Sequence, residues 1–242
     1  MCITRTLSYN ACQMCGRYSL AQGYDQIISG VAADWFDVAD DSWEFVPRYN
    51  IAPTNMVPVI AMQDDQRMLS NMRWGLIPSW AKDSKIGYRM INARSETAAT
   101  TNAFRSAYKR RRCLVLADGF YEWRGPKGKR EPLRYTMKDT DLFTFAGLWE
   151  SWNSHQEPEA ESVRTFTIRT TTPNDLVEAI HDRMPVILDE EAQQVWLNHS
   201  SDETGHLREL LKPFPAASMT CYEVSPSVNN VRNEGPELIV PV

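Results

Sequence analysis

The chain has 242 residues, 43% of them hydrophobic and 24% charged, and a net charge of −5. That length suits one large domain or two small ones with a sizeable core, and the balance is that of a soluble globular protein. No apolar run approaches the roughly 18 residues of a membrane span, and Met1 to Gln13 lack the apolar stretch of a secretory signal, so a cytoplasmic protein is expected.

In chain order, a helix is predicted over Ala21–Asp34. Val57–Met62 and Met68–Trp74 read as strands about an Asp64–Asp65–Gln66 turn. Glu96–Lys109 reads as a helix and Cys113–Ala117 as a strand. Gly125–Pro126–Lys127–Gly128 marks a turn, and Lys138–Asp141 predicts a hairpin between strands Leu133–Met137 and Leu142–Leu148. Ser151–Glu161 is polar and acidic, hence an exposed loop, and Arg164–Thr170 is a strand. Pro173–Ile180 predicts a short helix capped by Thr172, with Pro173 at its first position. Pro185–Leu188 reads as a strand, and Asp189–Asn198 and Asp202–Leu211 as surface helices. Strands and helices mix without βαβ alternation. The expected fold is a single α+β domain, a mostly antiparallel, barrel-like sheet flanked by short helices.

The five cysteines are Cys2, Cys12, Cys15, Cys113 and Cys221. An odd count at scattered spacing is not a disulfide framework. Cys12 and Cys15 form a Cys-x-x-Cys pair, but no second pair or His-x-x-x-His spacing completes a zinc set, and no βαβ context supports a redox motif. Neither metal nor cofactor is expected. Charge is unevenly spread: from Arg73 to Arg134 there are fifteen Lys and Arg against five Asp and Glu, and the rest of the chain is acidic. A basic face on an acidic body is the footprint of a polyanion partner; the plainer reading is a solvated charged surface. Lys109–Arg112 and Lys127–Arg130 would extend such a face.

Six segments set polar groups among aromatics and prolines. They are Met14–Cys15–Gly16–Arg17–Tyr18, Arg48–Tyr49–Asn50–Ile51–Ala52–Pro53, Trp74–Gly75–Leu76–Ile77–Pro78, Ile91–Asn92–Ala93–Arg94, Asp118–Gly119–Phe120–Tyr121–Glu122–Trp123 and Ile180–His181–Asp182–Arg183–Met184–Pro185. The tail adds Asn230–Val231–Arg232–Asn233 and Glu237–Leu238–Ile239. In this order they resemble the SRAP family, the SOS-response-associated peptidases, from Met14 to Val242. The resemblance implies a protein of the DNA damage response that shields abasic sites in single-stranded DNA by a covalent crosslink. It divides the chain into an extension over 1–13, absent from the mature protein, and an SRAP domain over 14–242.

The chemistry can be read on the residues. An opened abasic sugar exposes an aldehyde. A cysteine at a free N-terminus carries an amine and a thiol on adjacent carbons; the amine condenses to a Schiff base and the thiol closes a five-membered thiazolidine. The resemblance implies this role for Cys15. Alone, Cys15 also fits a small buried hydrophobe. Glu122, between Tyr121 and Trp123, is in a setting that raises a carboxyl pKa, and His181 shuttles protons near neutrality. By resemblance these two are the general acid/base pair, and Asn92 orients the sugar or the amine. Read singly, Glu122 also fits a salt bridge, His181 a core histidine and Asn92 a turn. Arg94 and Arg183 are candidate phosphate ligands, Arg17 is structural or phosphate-facing, and Thr170 can donate a hydroxyl to a phosphate. Pro53 and Trp80 are candidate wedges against bases beside the lesion.

Two positions depart from the family pattern. Ala81 stands where a second aromatic often follows the tryptophan, in a charged loop before Asn92. Asn102 replaces a basic residue before Phe104, for which Arg105 compensates. The expected partner is single-stranded DNA carrying abasic sites, with no membrane or metal, bound by a monomer that joins the nucleoid with its DNA. The alternatives are a thiol peptidase acting on its own leader or other peptides, and a single-strand-binding module without chemistry. Because the thiazolidine needs a free amine, Cys15 must become N-terminal, by initiation at Met14 and its removal or by cleavage between Met14 and Cys15.

Overall fold

The computed structural model describes residues 15–30, 36–38, 45–126, 128–154, 159, 161–198 and 205–242. The extension over 1–13, Met14, Cys12, the end of the predicted first helix, the middle of the acidic loop, Lys127 and the start of the predicted last helix lie outside the described residues.

The elements run β1 (Tyr18–Leu20), α1 (Tyr24–Gly30), β2 (Asp37–Val38), β3 (Arg48–Ile51), β4 (Met56–Gln63), β5 (Gln66–Trp74), β6 (Asn92–Arg94), α2 (Arg105–Arg110), β7 (Arg112–Ala117), β8 (Gly119–Arg124), β9 (Glu131–Met137), β10 (Phe143–Trp152), β11 (Val163–Thr171), α3 (Asp175–Glu178), β12 (Met184–Pro185), β13 (Ile187–Leu188), α4 (Glu190–Leu197) and β14 (Met219–Glu223). Strands β11, β10, β7, β4 and β5 pair in that order, and a parallel pairing of β5 with β11, Trp74 opposite Phe166, closes them into a five-stranded barrel. A second sheet, ordered β14-β9-β8-β1-β3, packs beside it. The single α+β domain is therefore as the sequence predicts.

Apolar strand residues fill the barrel because both its strands and the second sheet turn their inner faces to one core. Trp74 stacks on Phe166 at 6.4 Å between ring centroids, and Tyr18 of β1 meets Trp74 and Phe145 edge-on at 5.2 and 5.8 Å. Tyr18 thus anchors β1 in the core three residues after Cys15. The β4–β5 turn places Asp64 and Asp65 at φ of 48° and 62°. Positive φ at both turn residues suits a tight hairpin, and aspartate tolerates it better than most side chains.

Several predicted elements differ. Leu133–Met137 and Leu142–Leu148 are not a hairpin: β9 pairs with β8 and β14, whereas β10 pairs with β7, β11 and β13. The chain crosses between sheets at 138–142. The predicted Glu96–Lys109 helix is helical only over α2. Before it, Thr100 and Thr101 turn their hydroxyls onto the Thr97 carbonyl, and such local bonds compete with helix. The cap of α3 is Asn174 rather than Thr172; its Oδ1 accepts from the N–H groups of Leu176 and Val177, both at 3.1 Å. Within the predicted 202–211 helix, the described part is a 3-10 turn, His206–Leu210. Among the described residues no helix is long and apolar enough to cross a membrane.

Candidate active site and nucleic-acid interface

The position of Cys15 follows from the register of β1. Tyr18 lies opposite Phe120 and Ser19 opposite Gly119, and Tyr121 N–H donates to the Arg17 carbonyl at 3.0 Å. The segment before β1 therefore runs along β8 toward Glu122. Successive strand side chains alternate: Tyr121 joins an apolar cluster with Val224, Val228 and Leu238, and Glu122 faces the other way. The Cys15 backbone nitrogen donates to Glu122 Oε1 at 3.0 Å in a buried contact. Asn92 opens β6, which extends the barrel beside β11, and its Nδ2 donates to the Cys15 carbonyl at 3.5 Å. Cys15, Glu122 and Asn92, 107 residues apart at their widest, thus meet at one point.

His181 follows α3, and its backbone N–H donates to the Val177 carbonyl. Its Nδ1 accepts from the Arg183 backbone N–H at 3.1 Å and lies 3.0 Å from Asp182 Oδ1. Its segment lies near the cluster: the Asp182 charge acts on Glu122.

Electrostatics set this cluster apart. Burial pushes the Glu122 carboxyl up to about 8, against the opposing hydrogen bond from Cys15 and the pull of Arg130, and Asp182 raises it further. Near neutrality Glu122 can therefore both hold and release a proton. Burial, with Glu122 adding to it, pushes the Cys15 thiol well above its usual range. Thiolate is scarce there at neutral pH, so the thiol is not a pre-activated nucleophile.

The candidate DNA contacts divide into exposed and engaged groups. Trp80, Arg94 and Arg105 are exposed, and Pro53 is half-buried in the β3–β4 turn. Arg17 is committed internally: its Nη1 donates to Asn50 Oδ1 at 2.6 Å and to the Val228 carbonyl at 2.7 Å, and its guanidinium lies over Trp123. Arg183 donates to both Glu96 oxygens at 2.6 and 2.8 Å and to the Thr170 carbonyl at 2.7 Å. The Thr170 side chain is fully buried, its Oγ1 without a hydrogen-bond partner among the described residues. Within Lys109–Arg112, Arg112 is buried and donates to the carbonyls of Tyr108, Lys109, Trp196 and Asn198, while Arg111 pairs with Glu150 at 2.7 Å. Only the first half of that run belongs to a basic face.

Sequence reasoning passed over the groups that hold the site together. Asp118 and Arg134 form a buried pair at 2.8 Å, and Ser19 Oγ donates to the same Asp118 oxygen at 2.6 Å. Arg134 crosses Gly119 so closely that a Cβ there would meet its guanidinium at 2.6 Å, which explains the Asp118–Gly119 step. Asn50 Nδ2 donates to the carbonyls of Asn230 and Asn233, both at 3.0 Å, tying the tail to β3. Asn50, Asp118, Gly119, Asn230, Asn233 and Asp182 lie inside the recognised segments, which was their signal; for Ser19, Arg134 and Glu96 no local signal exists.

The profile of SOS response associated peptidase (SRAP) matches residues 14–231. The chain belongs to this family. It is 46% identical over 228 residues to the abasic site processing protein YoqW of Bacillus subtilis, covering 93% of this chain and 99% of that protein. It is 36% identical to the abasic site processing protein HMCES of Gallus gallus, over 81% of this chain and 66% of the relative. A crystal structure of a protein from Bacteroides thetaiotaomicron superposes with a TM-score of 0.82 at 26% identity, covering 94% of this SRAP chain and all of the other.

Proposed function

We propose that this SRAP protein processes abasic sites in single-stranded DNA by crosslinking to them through Cys15, once Cys15 is the N-terminal residue. The observation that carries the reading is the 3.0 Å contact between the Cys15 nitrogen and a buried carboxyl poised at about 8. With Cys15 N-terminal, that nitrogen is an amine with an ordinary pKa near 7.7–8.0, so it titrates near neutrality. As a carboxylate, Glu122 takes a proton from the ammonium and returns it to the departing hydroxyl.

The steps balance. The neutral amine adds to the sugar aldehyde, and loss of one water gives the Schiff base. The thiol then adds across the carbon–nitrogen double bond, its proton passes to nitrogen, and the thiazolidine ring closes. A thiol raised by burial suits this order, nitrogen first and sulfur second, and is unsuited to attack as a thiolate. Asn92 holds the Cys15 carbonyl and thereby aims both nucleophiles, and His181 assists proton transfer in opening the sugar ring. Arg94 and Arg105 are free to meet phosphates. Arg17 braces the site from within through Asn50 and Val228, and Arg183 exchanges Glu96 for a phosphate; the Thr170 hydroxyl, fully buried, does not reach the DNA strand. Pro53 and Trp80 press against the neighbouring bases.

A second reading, self-cleavage before Cys15, is favoured by one observation: Cys15 has φ of 26°, a conformation that non-glycine residues rarely adopt, at the bond to be cut. The test mixes the protein with an abasic single-stranded oligonucleotide. A band stable to heat and detergent, lost in Cys15→Ala, is expected. Purely reversible, salt-sensitive binding overturns the crosslink, and hydrolysis of unrelated peptides by Cys15 favours a peptidase.

A further inference from the structure

We propose that Tyr88 is a second base-stacking residue, so that the loop from Trp80 to Arg89 forms a rigid platform over which the single strand passes beside the lesion. This rests on single-stranded DNA being the ligand of the Cys15 site.

Trp80 and Tyr88 are each 54% exposed, at the two ends of one loop. The loop between them is pinned. Ala81 and Ile77 pack with Trp152, Ile86 and Val163, and Trp152 Nε1 donates to the Ala81 carbonyl at 2.6 Å. Gly75 and Gly87 touch backbone to backbone, and a Cβ on either would come within 2.7 Å of the other's carbonyl oxygen. Leu76 N–H donates to the Met90 carbonyl at 3.1 Å. On so constrained a backbone the rings are held out in solvent.

Their surroundings select the partner. The Arg73 guanidinium lies 5.7 Å from the centroid of the Tyr88 ring and fixes its orientation. Lys82, Lys85 and Arg89 are exposed on the same loop. The one acid, Asp83, accepts from the Lys85 backbone N–H at 2.8 Å as the cap of the 3-10 turn. Exposed rings interleaved with cations suit a stacked, charged strand better than an apolar protein face, because stacking takes any base and the cations meet the phosphates. The loop leads directly into the site: four residues on from Tyr88 is Asn92, so the two Cα atoms lie at most about 14 Å apart. The stacking surface that Ala81 cannot supply is thus provided seven residues later.

The test uses the Cys15→Ala chain and an unmodified single strand, so that binding is read without crosslinking. Tyr88→Ala is expected to weaken affinity on the order of 5- to 100-fold. Tyr88→Phe should bind within about twofold of the parent, and Tyr88→Leu, which keeps bulk without a π-face, should lose affinity like Ala. In a second strand that carries an abasic site, bound by the same Cys15→Ala chain, 2-aminopurine placed in turn on each side of the lesion should report a stacked base at one position, and Tyr88→Ala should abolish that response. Full affinity in Tyr88→Ala or in Tyr88→Leu, or an unchanged 2-aminopurine response, overturns the proposal. Crosslinking is read separately with Cys15 restored. A chain that stacks through Tyr88 but never crosslinks refutes the Cys15 chemistry alone; one that crosslinks with Tyr88 indifferent refutes the platform alone.

Discussion

At the scale of single residues, Glu122 is held against its own ionisation. Its carboxyl ordinarily titrates near 4.5 and is raised to about 8 by burial. The folded state thus prefers it neutral. That preference contributes fully below about 4.5 and is lost as pH rises through 8, because the unfolded chain then ionises the group more easily. Glu122→Gln is therefore expected to be more stable than the wild type at pH 9, by a few kcal/mol at about 1.4 kcal/mol per pH unit of displacement. The advantage should vanish near pH 4.5, and urea unfolding at the two pH values reads the difference; parallel stability curves would contradict the burial argument. The same variant should crosslink at least ~100-fold more slowly while binding undamaged single strands normally, since a neutral amide accepts the Cys15 hydrogen bond but moves no proton.

At the scale of elements, the site depends on holding β1 against β8 and β9, and the Asp118–Arg134 pair does this. Its side chains are 4% and 7% exposed. Asp118→Asn leaves the guanidinium buried without its counter-charge, and a loss of about 3 kcal/mol or more in urea unfolding is expected. A loss below about 1 kcal/mol would mean that the pair is dispensable. This scale also separates what the sequence showed from what it hid. β4, β7 and β10 were legible because they are apolar over most of their length, and β5 and β11 because their residues are apolar or β-prone. β1, β3, β6 and β8 were seen only as motifs, because Ser19, Asn50 and Asn92 spend their polar groups on distant backbone and interrupt any alternation. The β5–β11 closure joins residues about ninety apart, and the crossing at 138–142 imitates a hairpin turn. Neither is written locally. In the site, Cys15, Asn92 and Glu122 were legible by type and setting and converge in space. Arg17 was read as structural or phosphate-facing and proves structural, whereas the engagement of Arg183 was not legible, since it depends on Glu96, far along the chain.

At the scale of the whole molecule, an excess of ten positive charges over Arg73–Arg134 is set against an acidic remainder. Part of that excess is structural, since Arg112 and Arg134 are buried, and the remainder includes the loop carrying Trp80 and Tyr88. Binding of single strands should accordingly weaken with salt, with a log–log slope of about −0.7 for each phosphate neutralised. Arg94→Ala should reduce that slope by about 0.7 and weaken binding evenly across sequences; an unchanged slope would remove Arg94 from the phosphate contacts. The central claim is narrower than binding. On the proposed mechanism Cys15 acts through a free amine and a thiol, so the most direct measurement is the mass and linkage of the covalent product. Peptide mass spectrometry of the crosslinked protein should find the chain beginning at Cys15, its mass the sum of protein and oligonucleotide less one water, with the attachment on Cys15. A stable adduct in which residues before Cys15 remain, or in which a lysine carries the DNA, would contradict it.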